Sequence, residues 1–298
     1  MNVKVIIIRT AGTNCNEETA FAFSRLGAHV DQVHINALIS GAQKLGDYHI
    51  LVLPGGFSYG DDLGSGRILA NELRLKLGED LQQFIRKGKL ILGICNGFQV
   101  LAKAGILPGL GWSSYRTLTD VRSIGQESTL FYNDSAKFED RWVHLKVEGR
   151  CVWTRGMSPQ IYLPVAHGEG KFIPRDKKVL DTLLNNKQIA LRYCTPDGGK
   201  PSYPDNPNGS IEDIAGISDT TGRVLGLMPH PERHFLFEQH PFWTRLKYQS
   251  VIPKSTFVIP ANVVLTDTHS CSAGIQNQIF GDGAKIFENG INYVKENL

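Results

Sequence analysis

Apolar residues along this chain fall into short, nearly uninterrupted runs separated by stretches of helical spacing. VKVIII (3–8), HILVLP (49–54) and KLILGI (89–94) are apolar throughout most of their length, as strands buried on both faces must be. HVDQVHI (29–35) alternates, so one face meets solvent. Between these runs, residues 17–26, 65–77, 81–86 and 96–104 place apolar side chains at helical intervals, and Gly27 stands where the first helix should stop. Strand and helix signals in alternation predict a parallel sheet covered by helices. The pattern then changes. RWVHLKVEG (141–149) and RCVWTR (150–155) alternate and read as antiparallel strands, and a Pro/Gly/Asn loop at 196–210 lies between two strand-like pieces, IALRYC (189–194) and VLGLMP (224–229). Residues 282–298 read as an amphipathic helix interrupted by Gly290. The stretch between Trp243 and Gly281 has strand-like runs that fit neither half, and reads as an insertion or a partner-binding arm at about 244–280 in an otherwise single domain, 1–298.

Composition narrows the class. The chain has 298 residues, 41% hydrophobic and 20% charged, with a formal net charge of +3, which is enough apolar material for a large core and too little charge to imply nucleic acid or a membrane surface. The sequence contains no run of bilayer-spanning length and no signal-peptide pattern at its start. Five cysteines, odd in number and without a Cys-x-x-Cys, point away from a zinc ribbon or redox dithiol and toward a cytoplasmic protein.

One cysteine stands apart. In LILGICNGFQVLAKAG (90–105), Cys95 lies at the junction of a strand and a helix, with Gly93 and Gly97 on either side. Such a turn exposes its central side chain at the carboxyl edge of a parallel sheet, and the helix N-terminus behind it favours a thiolate. A lone cysteine is usually a small buried hydrophobe, but this context favours a nucleophile. A nucleophilic thiol needs a base, and LGLMPHPERH (225–234) supplies His230 with Glu232 two residues on, on the same side of an extended chain. The same segment also reads as a metal pair, His230 and His234, though Pro231 disfavours the helix that would join them. His-x-Glu opens a nucleobase-deaminase signature too, but its Pro-Cys-x-x-Cys is missing. PGGFSYGDDLGSG (54–66) offers backbone N–H groups near Gly55 and Gly56 which, with that of Asn96, suit a developing oxyanion; it is equally a turn that needs positive φ, and no phosphate-loop motif occurs.

PGG, G-x-C-x-G-x-Q and H-P-E in this order resemble the class I (triad) glutamine amidotransferases. TAGTNCNEET (10–19), GGFSYGDDLGSG (55–66), GICNGFQVLAKAGILPG (93–109), PVAHGEGKF (164–172), YPDNPNGS (203–210) and MPHPERH (228–234) are similar, more narrowly, to the glutaminase subunits of phosphoribosylformylglycinamidine synthase. The resemblance implies an α/β, flavodoxin-like fold with a mostly parallel central sheet, flanking helices and a smaller antiparallel sheet. It implies that Cys95 attacks the glutamine amide to form a thioester, that His230 is base and acid, and that Glu232 orients it. Gly56 and Asn96 would line the oxyanion hole, Gln99, Gly55 and Phe57 would hold glutamine, and the loop of His167 and Glu169 would stand at the mouth. No metal or cofactor is implied in this chain. Ammonia would pass to a large synthetase subunit that uses ATP and Mg²⁺ to convert formylglycinamide ribonucleotide (FGAR) to its amidine (FGAM), with a small third subunit bridging the two. Two departures stand out: the extra length near 244–280, and Lys137 in YNDSAKF (132–138), where the family pattern leads one to expect Arg. The alternatives are an amidotransferase of another pathway, such as guanylate or aromatic amino-acid synthesis, a catalytically silent scaffold, and a DJ-1-like cysteine chaperone or peptidase.

Overall fold

The computed structural model of the protein describes residues 2–110, 125–246 and 280–298. The apolar runs become the strands β1 (Lys4–Arg9), β3 (Ile50–Leu53) and β4 (Leu90–Ile94), and the alternating run becomes β2 (His29–His34). Every residue of β3 and β4 is buried, whereas β2, at the sheet edge, keeps only Val33 inside. Helices α1 (Asn16–Arg25), α3 (Arg67–Lys76), α4 (Gly78–Arg86) and α5 (Asn96–Lys103) follow the predicted stretches within two or three residues, and a short α2 (Ile35–Ile39) is added.

The later strands are β5 (Ser128–Phe131), β6 (Glu139–Val147), β7 (Gln160–His167), β8 (Lys171–Pro174), β9 (Ile189–Cys194), β10 (Ile214–Ser218) and β11 (Val224–Leu227). The main sheet runs β2-β1-β3-β4-β11-β10-β9-β6-β7, and β5 pairs with β8 in a small separate sheet. From β2 to β11 the neighbours are parallel, and from β11 to β7 they are antiparallel. This is the mostly parallel sheet with flanking helices and a small antiparallel sheet that the sequence predicts. The antiparallel strands β6 and β9, however, extend the main sheet rather than forming the second one.

Two local expectations fail for one reason. The segment 150–155 is not a strand: Val152–Thr154 is a 3-10 turn that buries Trp153, whose indole N–H donates to Arg223 O. The C-terminal helix Ala284–Asn297 runs unbroken through Gly290, because the Trp153 ring fills the place where a Cβ would stand, 2.4 Å away. Glycine there serves close packing and not a break. That helix also packs on α1 through Phe23 and Phe287, ring centroids 5.0 Å apart. Of the atypical stretch at about 244–280, residues 247–279 lie outside the described residues, as do 111–124. Among the described residues no helix is long and apolar enough to cross a membrane.

Parallel pairing is what builds the site. Ile94 of β4 lies opposite Leu227 of β11, so both chains leave the sheet at the same edge, toward Cys95 and His230. Four strands separate β4 from β7 in the sheet order. The end of β7 nevertheless reaches back to this edge, where Pro164 O accepts from His230 N at 2.8 Å and Ala166 O accepts from Cys95 Sγ at 3.6 Å.

Candidate active site

Cys95 has φ 51 and ψ −105, a left-handed region that a β-carbon disfavours and that costs on the order of 1–3 kcal/mol. The surroundings enforce it. Its own N–H donates to Leu227 O at 2.8 Å, and α5 begins at the next residue. Gly97 lets that helix start against β3: a Cβ there would lie 1.9 Å from Leu53 O. The Asn96 N–H, at the head of α5, is one of the donors a helix cannot use internally. In the loop after β3, Gly56 at φ 139 bridges to Thr13, and Phe57 N donates to Gly12 O. Gly56 and Asn96, the residues expected to line an oxyanion hole, thus follow adjacent strands, β3 and β4.

His230 follows β11 and is 2% exposed. Its Nδ1 lies 2.6 Å from Glu232 Oε1, itself 1% exposed. The expected contact is present, but by another route: Pro231–His234 forms a 3-10 turn, so a tight turn and not an extended chain brings the carboxylate round. Burial alone would push the His230 pKa down. The charges of Glu232 and Cys95, with the thiols of Cys15 and Cys95 beside the ring, outweigh it and raise the pKa well above the ordinary value. Among the described residues His230 Nε2 closes no hydrogen bond. Catalytic contacts are commonly long before substrate binds. His234, the other residue of the possible metal pair, has its Nδ1 engaged with Tyr162 O at 2.8 Å.

A second cysteine stands at His230, and sequence reasoning missed it. Cys15, preceding α1, has its Sγ 4.0 Å from His230 Nδ1. It donates to Asn14 Oδ1 and accepts from Arg233, whose guanidinium also pairs with Glu18 at 2.8 Å. Burial pushes the Cys15 thiol pKa up, against the pull of His230. Cys15, His230 and Glu232 form a donor set whose ligand atoms lie within 4.8 Å of one another. Within this set His230 Nδ1 is turned to Glu232, and the Arg233 guanidinium abuts the Cys15 thiol. Only the contact itself, across 215 residues of chain, could have revealed Cys15.

Cys95 opens onto a cavity of about 200 Å³ whose wall includes Gly56, Phe57, Asp61, Gln99, His167 and Glu169. That is below the roughly 300–1,000 Å³ of drug-sized sites and suits a small metabolite. A larger cavity of about 750 Å³ lies next to it and shares Tyr132 and Glu169, but among the described residues its lining holds neither cysteine nor histidine. Gln99 faces the site with its carboxamide largely committed: it accepts from Asn96 Nδ2 at 2.9 Å and donates to Glu169 O at 2.5 Å. Gly55 is packed against His230 and Cys15. Phe57 is half exposed at the rim, 6.5 Å from the Phe138 ring. The Glu169 carboxylate lies 3.6 Å from Lys103 Nζ. Asp61, which the sequence did not single out, accepts from Asn96 Nδ2, Ser65 Oγ and Gly66 N, and burial raises its pKa. At Lys137 the contact that matters is made by the backbone, whose carbonyl accepts from Asn133, so Lys in place of Arg leaves this turn intact.

Comparison with known proteins agrees with this geometry. The model of the CobB/CobQ-like glutamine amidotransferase domain matches residues 2–294. A phosphoribosylformylglycinamidine synthase subunit PurQ from Dehalococcoides mccartyi is 43% identical over 297 residues, covering 99% of this chain and 98% of the relative. One from Methanococcus maripaludis is 48% identical over 235 residues, 77% of this chain and 82% of the relative. Among solved structures, a chain of PurLQS from Thermotoga maritima superposes with a TM-score of 0.64 at 29% identity, covering 98% of this chain and 99% of that one.

Proposed function

The chain belongs to the PurQ family of phosphoribosylformylglycinamidine synthase subunits, within the CobB/CobQ-like glutamine amidotransferases, and from that membership we propose how its residues carry the reaction. It is the glutaminase component of the synthase and works in purine biosynthesis with a synthetase partner. In the proposed mechanism the Cys95 thiolate attacks the side-chain carbonyl carbon of glutamine, and a C–S bond forms. The N–H groups of Gly56 and Asn96 hold the oxygen as it becomes anionic, each such donor being worth roughly a hundredfold or more in rate. His230 gives its proton to the departing nitrogen, the C–N bond breaks, and ammonia leaves a γ-glutamyl thioester on Cys95. His230 then takes a proton from water, whose oxygen displaces the thiolate to give glutamate. Glu232 holds Nδ1–H throughout, so that Nε2 is the nitrogen that exchanges protons.

The observation that carries this reading is the forced backbone of Cys95 at an edge shared with a His230–Glu232 pair held at 2.6 Å. Ammonia then passes to the synthetase subunit, which uses ATP and Mg²⁺ to turn FGAR into FGAM, and a small third subunit bridges the two. Phe57, Tyr132 and Phe138, all 45% exposed or more around the mouth, give that partner an apolar rim to cover. We place the complex in the cytoplasm, in keeping with four free thiols among the described residues.

The test is glutamate release by the purified chain, alone and with the synthetase subunit, ATP and FGAR. Strong stimulation by the full mixture is expected, because docking completes such a site. Equal rates in both would break the link to this partner, and no release in either would favour a silent scaffold.

A further inference from the structure

The last residue of β7 is a histidine that the mechanism above does not use. His167 is 2% exposed and lines the cavity of Cys95. It directly follows Ala166, whose carbonyl accepts from the Cys95 thiol. One face of its ring lies against Gly170, where any Cβ would fall within 2.3 Å of Cε1. Its Nδ1 lies 3.1 Å from Asn133 Oδ1.

The hydrogen bonds around Asn133 settle which ring nitrogen carries the proton. The Asn133 amide nitrogen faces two carbonyls, Lys137 O at 2.9 Å and His167 O at 2.8 Å, and so must be the NH₂. Its oxygen also accepts from Gly170 N at 3.0 Å. An oxygen can only accept, so His167 Nδ1 carries the hydrogen and Nε2 is a bare lone pair. That Nε2 is buried and has no hydrogen-bond partner among the described residues. A buried acceptor without a partner, on a residue that lines the cavity of Cys95, calls for an explanation. His230 Nε2 has the same status, buried and unpartnered, at the heart of the site.

We propose that His167 Nε2 accepts an N–H of the glutamine carboxamide and then of the ammonia released from it. This deepens the reading given under Proposed function and rests on it. A carboxamide has one oxygen to place in the oxyanion hole and two N–H donors that also need partners. An acceptor lone pair at Nε2 fits the amide nitrogen. It repels the carboxylate oxygen that stands at the same place in glutamate, so the site favours substrate over product. Burial, with the nearby charge of His230, pushes the His167 pKa down to about 3, so the ring stays neutral at working pH. A neutral ring with its only proton tied to Asn133 cannot hand that proton to ammonia, which therefore leaves as a nucleophile and not as ammonium.

Two variants separate this role from a structural one. In His167→Asn the side-chain NH₂ still reaches Asn133 Oδ1, but nothing remains at the position of Nε2. In His167→Gln the side-chain oxygen returns an acceptor to that position. Both are assayed in the complex with the synthetase, by kcat/KM for glutamine, by the inhibition constant of glutamate, and by synthesis driven with ammonium chloride. For His167→Asn the expected result is a fall in kcat/KM of about tenfold, the worth of one hydrogen bond, with tighter glutamate inhibition and undiminished ammonium-driven synthesis. His167→Gln is expected to recover part of the kcat/KM. Wild-type kcat/KM and glutamate inhibition in His167→Asn would overturn the proposal. So would equal losses in both variants with glutamate inhibition unchanged. If the wild-type complex itself released no glutamate, the functional reading would fail first, a result distinct from either.

Discussion

Glu232 Oε1 stands 2.6 Å from His230 Nδ1, and a single 3-10 turn, Pro231–His234, fixes the pair. The proline restricts the turn, and the backbone of His230 is tied to Pro164 O of β7. The carboxylate orients the ring and also raises its pKa. Glu232→Gln keeps the shape and removes the charge. The expected result is a loss of kcat of about 10²–10⁴-fold, as when an orienting carboxylate of a triad is neutralised. The His230 pKa should fall with it, moving the matching limb of the kcat–pH profile to lower pH. An unchanged profile would show that Glu232 does not act through His230.

Replacing Cys95 separates chemistry from strain. Cys95→Ala should release no glutamate while unfolding at or near the wild-type temperature, because alanine keeps the backbone and removes only Sγ. Cys95→Gly should also be inactive, but at φ 51 glycine relieves a strained conformation. Its melting temperature is therefore expected not to fall below that of Cys95→Ala. Glutamate release by either variant would remove Cys95 from the role of nucleophile.

Gly97→Ala tests the close approach that seats the turn. The added methyl would meet Leu53 O, a backbone atom that cannot swing aside. Overpacking of this kind costs about 1–3 kcal/mol or more. Moving α5 off β3 also displaces Asn96 and Cys95 together, so activity should fall further than stability does. Lys137→Arg is the matching control: the Asn133 contact uses only the Lys137 carbonyl, and stability should stay within about 0.5 kcal/mol.

Much of the fold is legible in the sequence where burial is two-sided. β1, β3 and β4 announce themselves because both faces of each strand are covered, leaving apolar residues at almost every position. β7 is hidden by Pro164, which an edge strand tolerates and which reads as a break. β10 is only five residues long, with Gly216 at its centre, and follows a long loop. The loops proposed to carry the nucleophile, the base and the oxyanion donors are readable because each is a local motif. Cys15 and the Asn133–His167 pair are not, because contacts made across tens to hundreds of residues give them their meaning.

That buried His167 ring should also shape stability against pH. Its pKa is about 3 in the folded chain and about 6.5 when unfolded. A depressed pKa means that the unfolded state takes up the proton first, so the contribution is present above pH 6.5 and is lost as pH falls toward 3. Between pH 7 and pH 5 this one group should cost about 2 kcal/mol of stability, or a drop of roughly 4–8 °C in melting temperature for a chain of this size. His230 works in the opposite sense. Its raised pKa stabilises below pH 6.5 and ceases to do so as pH rises through the folded value, so it cannot account for acid loss. His167→Asn removes the depressed group and should flatten the decline between pH 7 and pH 5, whatever it does to stability at pH 7. Thermal melts of both proteins across that range decide the matter. Parallel declines would mean that His167 protonates freely in the folded chain and is not held neutral beside Cys95.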